Sequence, residues 1–261
     1  MLAKLLKYEI PAVARKLLPL YAALIVVSIL FGLNFRGEYW YRNSSILTVI
    51  SAMLFAAAVT AVFVMSIIVM IQRYNDNLMG DGGYFSWALP VKVDTHLMNK
   101  TISAGIWYLV GAIGIVTSVF LVAMSSGAVN LIDLIRELIM NFESLPRLFV
   151  VIVEFFILAF LGGCKVGLQV YTAITIGHQA KKHVVLAALG VYIGTSVVEV
   201  ILMDILDNIG VTEAVGRMMW DLSPFAQFNF VTFVAIILGG AICAVYYFIC
   251  RWFLKNKLNL A

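Results

Sequence analysis

Three ionisable side chains, Glu154, Lys165 and Glu199, lie inside long apolar runs of this 261-residue chain. A charge near the centre of a bilayer costs about 2.5–3.5 kcal/mol even on the lenient insertion scale, so such groups usually pair or face an aqueous path. Eleven residues separate Glu154 from Lys165. On a helix the two would share a face but lie about 16 Å apart along it, which is too far to pair.

Lys165 and Glu199 lie at similar depths in their apolar runs. Counted at about 1.5 Å per residue from the turn at residues 178–183, they are about 20 and 24 Å deep. These depths predict an ion pair between them across consecutive antiparallel helices. Two roles stay open for the three residues: a structural pair that lowers the cost of both charges, or a water-filled path where they contact substrate or relay protons.

The composition identifies the elements that must hold these charges. Hydrophobic residues make up 63% of the chain, charged residues only 12%, and the mean hydropathy is +1.00, which predicts an integral membrane protein. Several runs exceed the roughly 18 apolar residues that span a bilayer, and spanning segments without alternating polarity must be helices. We predict an all-α polytopic protein with six transmembrane helices, at residues 17–35, 46–71, 101–124, 148–177, 184–203 and 228–250.

Lys and Arg residues predict the orientation. With the N-terminus inside, 12 of the 18 fall on the cytoplasmic side, five fall outside, and Lys165 lies within a span. The positive-inside rule therefore places both termini in the cytoplasm, in a multi-pass protein of the inner or plasma membrane. The net charge of +4 is explained by this bias and by anionic lipids, so it does not predict a nucleic-acid partner.

Three surface segments complete the single predicted domain, 1–261. Residues 1–16 should form an interfacial helix that Pro11 ends or bends, with Glu9 away from its apolar face. A short helix is expected in the outer loop after the third span. Residues 204–227 should form two short outer helices, because Gly210, Gly216 and Pro224 interrupt that segment.

No catalytic motif is visible in the sequence. The patterns GxxxxGK[ST], GxGxxG, HExxH and GxSxG are absent. The three histidines fall at cytoplasmic ends of spans and the three cysteines within spans, without metal-ligand spacing. The chain is therefore not expected to be an enzyme by itself or to bind a metal or cofactor of its own.

The longest polar interruption, residues 73–100, is predicted to face the cytosol as a structured connector. Glycines flanking Asp81 permit a sharp turn. Pro90 forces a break, and Asp94 stands where an N-cap would start the third span. Between them an aromatic face of Tyr84, Phe85 and Trp87 is expected to meet a partner.

The stretch "MGDGGYFSWALPVKVDTHLMNK" resembles the loop between the second and third spans of ABC-2-type transporter permeases. "MLAKLLKYEI" and "YTAITIGHQAKKHVVLAALGVYI" are similar to the same family. The resemblance implies that the chain is the transmembrane subunit of a bacterial ABC exporter and works by alternating access. It implies that ATP is hydrolysed by a separate subunit and not by this chain. It implies a permease homodimer with two copies of a cytosolic ABC ATPase, which would bind the ATP and Mg.

The resemblance also assigns roles to residues. Residues 73–100 would contain the helix that couples to the ATPase, and the turn near residues 177–183 would make a second contact. Residues 204–227 would gate exit. The implied ATPase-coupling residues are Asp81, Gly82, Tyr84, Phe85, Trp87, Pro90, His178, Lys181 and Lys182.

The apolar, aromatic-rich interior favours amphipathic cargo, such as antimicrobial or cytolytic peptides or lipid-like molecules. Two other classes of function stay open. One is an ion-coupled secondary transporter that uses Glu154, Lys165 and Glu199. The other is a non-transporting membrane anchor or immunity protein that recruits an ATPase.

Overall fold

A computed structural model describes residues 1–35, 46–80, 82–88, 90–140, 145–180 and 182–256. These residues form helices and connecting turns, and no strand occurs among them. The all-α prediction is confirmed. The helices are α1 Leu2–Asn34, α2 Ile46–Tyr74, α3 Gly82–Ala88, α4 Val93–Ser126, α5 Leu131–Met140, α6 Leu145–Gly177, α7 Val184–Asn208, α8 Val211–Met219 and α9 Pro224–Asn256, with a π-helical segment, Asn75–Met79, after α2.

Six of these helices are long and apolar enough to cross a membrane: α1, α2 with its π segment, α4, α6, α7 and α9. They confirm the polytopic prediction of six spans. A helix of 33 residues, such as α6, is about 50 Å long, whereas the hydrocarbon core is about 30 Å thick. The ends of the long helices therefore project beyond the apolar runs from which the spans were predicted.

Helix α1 is continuous where a break was expected. Pro11 and Pro19 both lie inside it, so residues 1–16 are its first turns and not a separate interfacial helix. Proline removes one helical hydrogen bond and crowds the preceding turn. A single buried stripe that includes Val13, Leu17 and Leu24 continues past Pro11, and its packing against α2 and α4 outweighs that loss.

The bundle has a terminal end, where α1 begins and α9 ends, and an opposite, distal end. Near the terminal end a buried cluster joins α2, α4, α6 and α9, including Tyr74, Leu97, Tyr171 and Cys250. The rings of Tyr74 and Tyr171 stack at 4.3 Å between centroids. A second cluster joins α1, α2 and α4 around Leu17, Val62 and Trp107. The terminal half of the bundle is therefore its best-packed part.

Helices α4 and α6 approach closely because of two glycines. A Cβ at Gly105 would lie 2.7 Å from the Cys164 sulfur, and a Cβ at Gly163 would collide with the Cβ of Tyr108. Small residues commonly permit such approach between transmembrane helices. Helix α7 differs from its neighbours, since it packs mainly on α6 and has no buried residue.

The outer segments partly follow the predictions. Helix α5 occupies the loop after α4, as expected. Residues 204–227 contain one separate short helix, α8, where two were expected, because residues 204–208 continue α7. Gly210, with a φ of 82°, makes the corner between α7 and α8, a conformation that costs glycine little.

Candidate functional site

The predicted ion pair between Lys165 and Glu199 is present and is the centre of an intramembrane polar network. Lys165 Nζ lies 2.7 Å from Glu199 Oε2. The hydroxyl of Tyr246 donates to Glu199 Oε1 at 2.6 Å, and Lys165 also donates to Gln169 Oε1 at 3.1 Å. Side chains of α6, α7 and α9 are thus joined by one set of charge-assisted hydrogen bonds.

The amide of Gln169 extends this network along α7. Its Nε2 donates to the hydroxyls of Ser196 at 3.0 Å and Thr195 at 3.3 Å. Each charge has an opposite partner, which removes most of the cost of placing it in a membrane. The side chains of Lys165 and Glu199 nevertheless keep 27% and 24% of their exposure, so the pair is reachable from outside the packed interior.

Glu154 lies apart from this network, as its spacing from Lys165 predicts. It occupies the distal half of α6, and its Oε2 is buried without a hydrogen-bond partner among the described residues. The arginine nearest to it on α6, Arg147, has its guanidinium carbon 5.8 Å from the centre of the Phe225 ring. The three charged residues therefore form one ion pair and one carboxyl whose buried oxygen is unsatisfied.

A buried charge cluster at the terminal end was missed by the sequence reasoning. Glu9 Oε2 lies 2.8 Å from Arg73 Nη2, and Glu9 Oε1 lies 2.8 Å from Lys100 Nζ. Arg73 Nε also donates to Glu9 Oε1 at 3.1 Å. The Glu9 and Lys100 side chains are only 7% and 5% exposed. We call Glu9, Arg73 and Lys100 the terminal triad; it joins the first turns of α1 and α4 to the end of α2.

One signal could have found Glu9. It precedes Val13 and Leu17 at four-residue spacing, in the same buried stripe of α1. The prediction that Glu9 lies off the apolar face is therefore wrong. Its charge is tolerated because Arg73 and Lys100 compensate it. No sequence pattern within residues 1–16 indicates those partners.

Asp94 also has a different role from the expected one. The N-cap of α4 is Lys92, and no side chain caps it. Asp94 instead lies in the first turn, where its carboxylate is 2.6 Å from Arg251 Nε and accepts from the Tyr247 hydroxyl at 3.0 Å. A bidentate arginine partner outweighs a backbone cap, so Asp94 ties the start of α4 to the end of α9.

Helix α3 holds four of the nine expected ATPase-coupling residues: Gly82, Tyr84, Phe85 and Trp87. Tyr84 and Phe85 are 59% and 81% exposed. Trp87 points inward, because its indole N–H donates to the carbonyl of Leu78 at 3.0 Å and its ring lies 5.5 Å from that of His96. Of the three side chains in the predicted aromatic face, Tyr84 and Phe85 are therefore exposed, whereas Trp87 fixes the helix to its neighbours.

The beginning of α3 requires glycine. A Cβ at Gly82 would collide with the carbonyl oxygen of Asp76, so the chain turns there against its own π segment. Pro90 is exposed in the connection to α4. Asp81 lies outside the described residues.

The second expected contact lies in the turn between α6 and α7. His178 Nδ1 is 3.0 Å from the carbonyl oxygen of Ile174, so this histidine closes the end of α6. Lys182 is exposed, and Lys181 lies outside the described residues. The end of α6 is fixed to α2 and α9, since the hydroxyls of Tyr74 and Thr175 are 2.7 Å apart and both approach the Cys250 sulfur.

Comparisons with known proteins found no family model, no curated protein and no solved structure that matches the chain. The arguments for function therefore come from the residues described above. Three features bear on function: the exposed side chains of α3, the terminal triad, and the polar seam of α6 that runs from Glu154 to Lys165 and its partners.

Proposed function

We propose that the chain is the transmembrane permease subunit of an ABC exporter, in which a separate cytosolic ATPase drives amphipathic cargo outward. The observation that carries the proposal is α3. This short helix lies between two spans at the end of the bundle that holds both termini, and it displays Tyr84 and Phe85 to solvent. Exposed aromatic side chains on a rigid element are typical anchors of a protein interface.

The connections of α3 suit it to transmit a displacement. It follows the π segment at the end of α2, and Trp87 fixes it both to that segment and to the first turns of α4. A movement of α3 therefore acts on two spans at once. The terminal triad links the same two spans to α1.

In the proposed complex, two permease chains form a homodimer and each contacts one ATPase, which binds the ATP and Mg. The chain lies in the plasma membrane with both termini on the cytosolic side, in keeping with the positive-inside rule. His178 and Lys182 make a second contact with the ATPase. Closure of the ATPases brings the α3 helices together and alternates access, while α8 lies at the exit side.

The proposed cargo is an amphipathic peptide, such as an antimicrobial or cytolytic peptide, or a lipid-like molecule. The support for it is the mixture of surfaces along α6. Long apolar stretches of α6 are exposed, and the same helix carries the partly exposed Lys165 pair. Such a surface offers both environments that an amphipathic molecule needs.

The test is co-purification from the cells that encode the chain. The tagged protein is purified in mild detergent, and a retained ATPase is recognised by its phosphate-loop sequence in mass spectrometry. An exposed aromatic anchor is commonly worth about 2 kcal/mol in an interface. The Tyr84→Ala/Phe85→Ala double variant should therefore lose well over tenfold of the retained ATPase.

The matched control is Trp220→Ala. Trp220 is 85% exposed but lies after α8, at the distal end, so its removal should leave the ATPase bound. Equal retention by the double variant and the control would refute α3 as the contact. Cargo transport by the chain alone, in liposomes with an ion gradient and no ATPase, would instead favour the ion-coupled transporter.

A further inference from the structure

Helix α9, which packs against α6, contains a second unsatisfied acceptor atom besides that of Glu154. Asn229 Oδ1, on α9, is buried without a hydrogen-bond partner among the described residues, as Glu154 Oε2 is on α6. A buried acceptor without a donor typically costs about 1–3 kcal/mol. Two such acceptors in one region of a protein indicate that something supplies donors there.

The two residues lie on facing stripes of adjacent helices. On α6, Arg147, Glu154 and Leu161 follow one another at seven-residue spacing, which drifts by only about 20° per step. The first of these contacts the Phe225 ring of α9. The carbonyl of Leu161 accepts from the sulfur of Cys243, also on α9. Glu154 therefore lies between two positions that face α9.

Asn229 occupies the corresponding stripe of α9. It follows Phe225 by one helical turn and precedes Cys243 by two heptads, so it faces α6. Helices α6 and α9 run in the same direction, since Arg147 near the start of α6 contacts Phe225 near the start of α9, and Leu161 further along α6 contacts Cys243 further along α9. The register of those contacts places Asn229 within about 4–10 Å of Glu154 along the helix axis.

The charges along this stripe leave Glu154 without a cation. Lys165 is paired with Glu199, and Arg147 lies over an aromatic ring. A metal ion does not fit, because the described residues contain no group of three or more His, Cys, Asp or Glu side chains that could hold one. A group that satisfies both oxygens supplies at least two hydrogen-bond donors, and a positive charge on it would compensate the Glu154 carboxylate.

We propose that Glu154 and Asn229 bind a primary ammonium group. An ammonium donates three hydrogen bonds and carries one positive charge, which matches a carboxyl oxygen and an amide oxygen that both lack donors. This inference rests on the proposed function in one respect: it gives the amphipathic cargo a primary amine. The site lies in the distal half of the bundle, so an outward-moving amine reaches it after the Lys165 pair.

The test is ligand binding to the purified chain in phosphatidylcholine nanodiscs, without an ATPase. Calorimetric titration compares n-hexylammonium with hexanol and hexanoate, which have the same apolar tail. The ammonium should bind most tightly. Glu154→Gln should weaken that binding at least tenfold, as expected for a charge-assisted hydrogen bond, and Asn229→Leu should weaken it by a smaller factor.

The matched control is Glu213→Gln, which removes one carboxylate from the exposed surface of α8 and should leave binding unchanged. Melting curves of the variants identify any loss of folding, and Asn229→Leu keeps the test valid if Glu154→Gln does not fold. Phosphatidylethanolamine nanodiscs distinguish the source of the amine. If phosphatidylethanolamine competes with n-hexylammonium, the site binds a lipid headgroup. If it does not compete, the site binds a free amine.

Equal binding of the three ligands would overturn the inference, since it would show simple partition of the hexyl tail with water satisfying the two oxygens. Strong energetic coupling between Arg147→Gln and Glu154→Gln in a double-mutant cycle would also overturn it, because Arg147 would then be the cation of Glu154. If the unmodified chain retains the ATPase but shows no preference for the ammonium ligand, this inference alone is contradicted. Loss of the ATPase with ammonium binding intact contradicts only the exporter.

Discussion

Removal of the Glu9 carboxylate should destabilise the fold far more than removal of either of its cations. The terminal triad contains one anion and two cations, and Lys100 is only 5% exposed. Glu9→Gln leaves Arg73 and Lys100 near each other without the carboxylate that both of them contact. Breaking a buried ion pair in this way typically costs about 3–5 kcal/mol of unfolding free energy.

Lys100→Met should cost much less, because it leaves Glu9 with the bidentate Arg73 partner. Replacement of a buried charge by an apolar side chain is often nearly neutral when no unpaired ion remains. The double variant Glu9→Gln/Lys100→Met removes the most deeply buried cation together with the anion. It should therefore recover more than half of the stability that Glu9→Gln loses.

The assay is reversible denaturation in mixed micelles, in which the unfolded fraction is measured by thiol labelling. Cys164 and Cys250 are free and buried in the folded chain, so their labelling reports unfolding. Unfolding free energies of the single and double variants complete a double-mutant cycle. The reasoning is refuted if Lys100→Met costs as much as Glu9→Gln, or if the double variant is no more stable than Glu9→Gln.

Three further outcomes follow from the packing and the hydrogen bonds. Glu199→Gln should destabilise the chain more than the double variant Glu199→Gln/Lys165→Met in the same denaturation assay, because only the single variant leaves a cation unpaired; equal losses would contradict the pairing. Gly163→Ala should cost about 1–3 kcal/mol through overpacking, while Gly190→Ala, where a Cβ meets nothing within 4 Å, should be neutral or slightly stabilising. Trp87→Phe should increase hydrogen exchange across residues 82–88, since it removes the indole donor that holds α3; unchanged exchange would show that the ring contact alone fixes the helix.

The long helices and the intramembrane pair were predictable for a simple physical reason. Only a run of about 20 apolar residues crosses a bilayer, so hydropathy alone locates spans. Lys165 and Glu199 lie on consecutive spans joined by a short turn, and similar counts from that turn give similar depths. The prediction needed no information from elsewhere in the chain.

The terminal triad and the role of Asp94 were not predictable in that way. Glu9 lies 64 residues from Arg73 and 91 from Lys100, and Asp94 lies 157 from Arg251. Local rules assigned Glu9 to the solvated face of a basic helix and Asp94 to a cap. Both assignments failed because distant cations offered stronger partners than water or backbone amides.

The wide spacing of the triad has a consequence for biosynthesis. Chains grow at about 5–20 residues per second, so roughly 5–20 s pass between synthesis of Glu9 and synthesis of Lys100. Arg73 is synthesised before Lys100 and is the bidentate partner of Glu9, so the pair of Glu9 and Arg73 precedes the complete triad. The arrival of Lys100, the most buried cation, should therefore be a late, electrostatic step in membrane assembly.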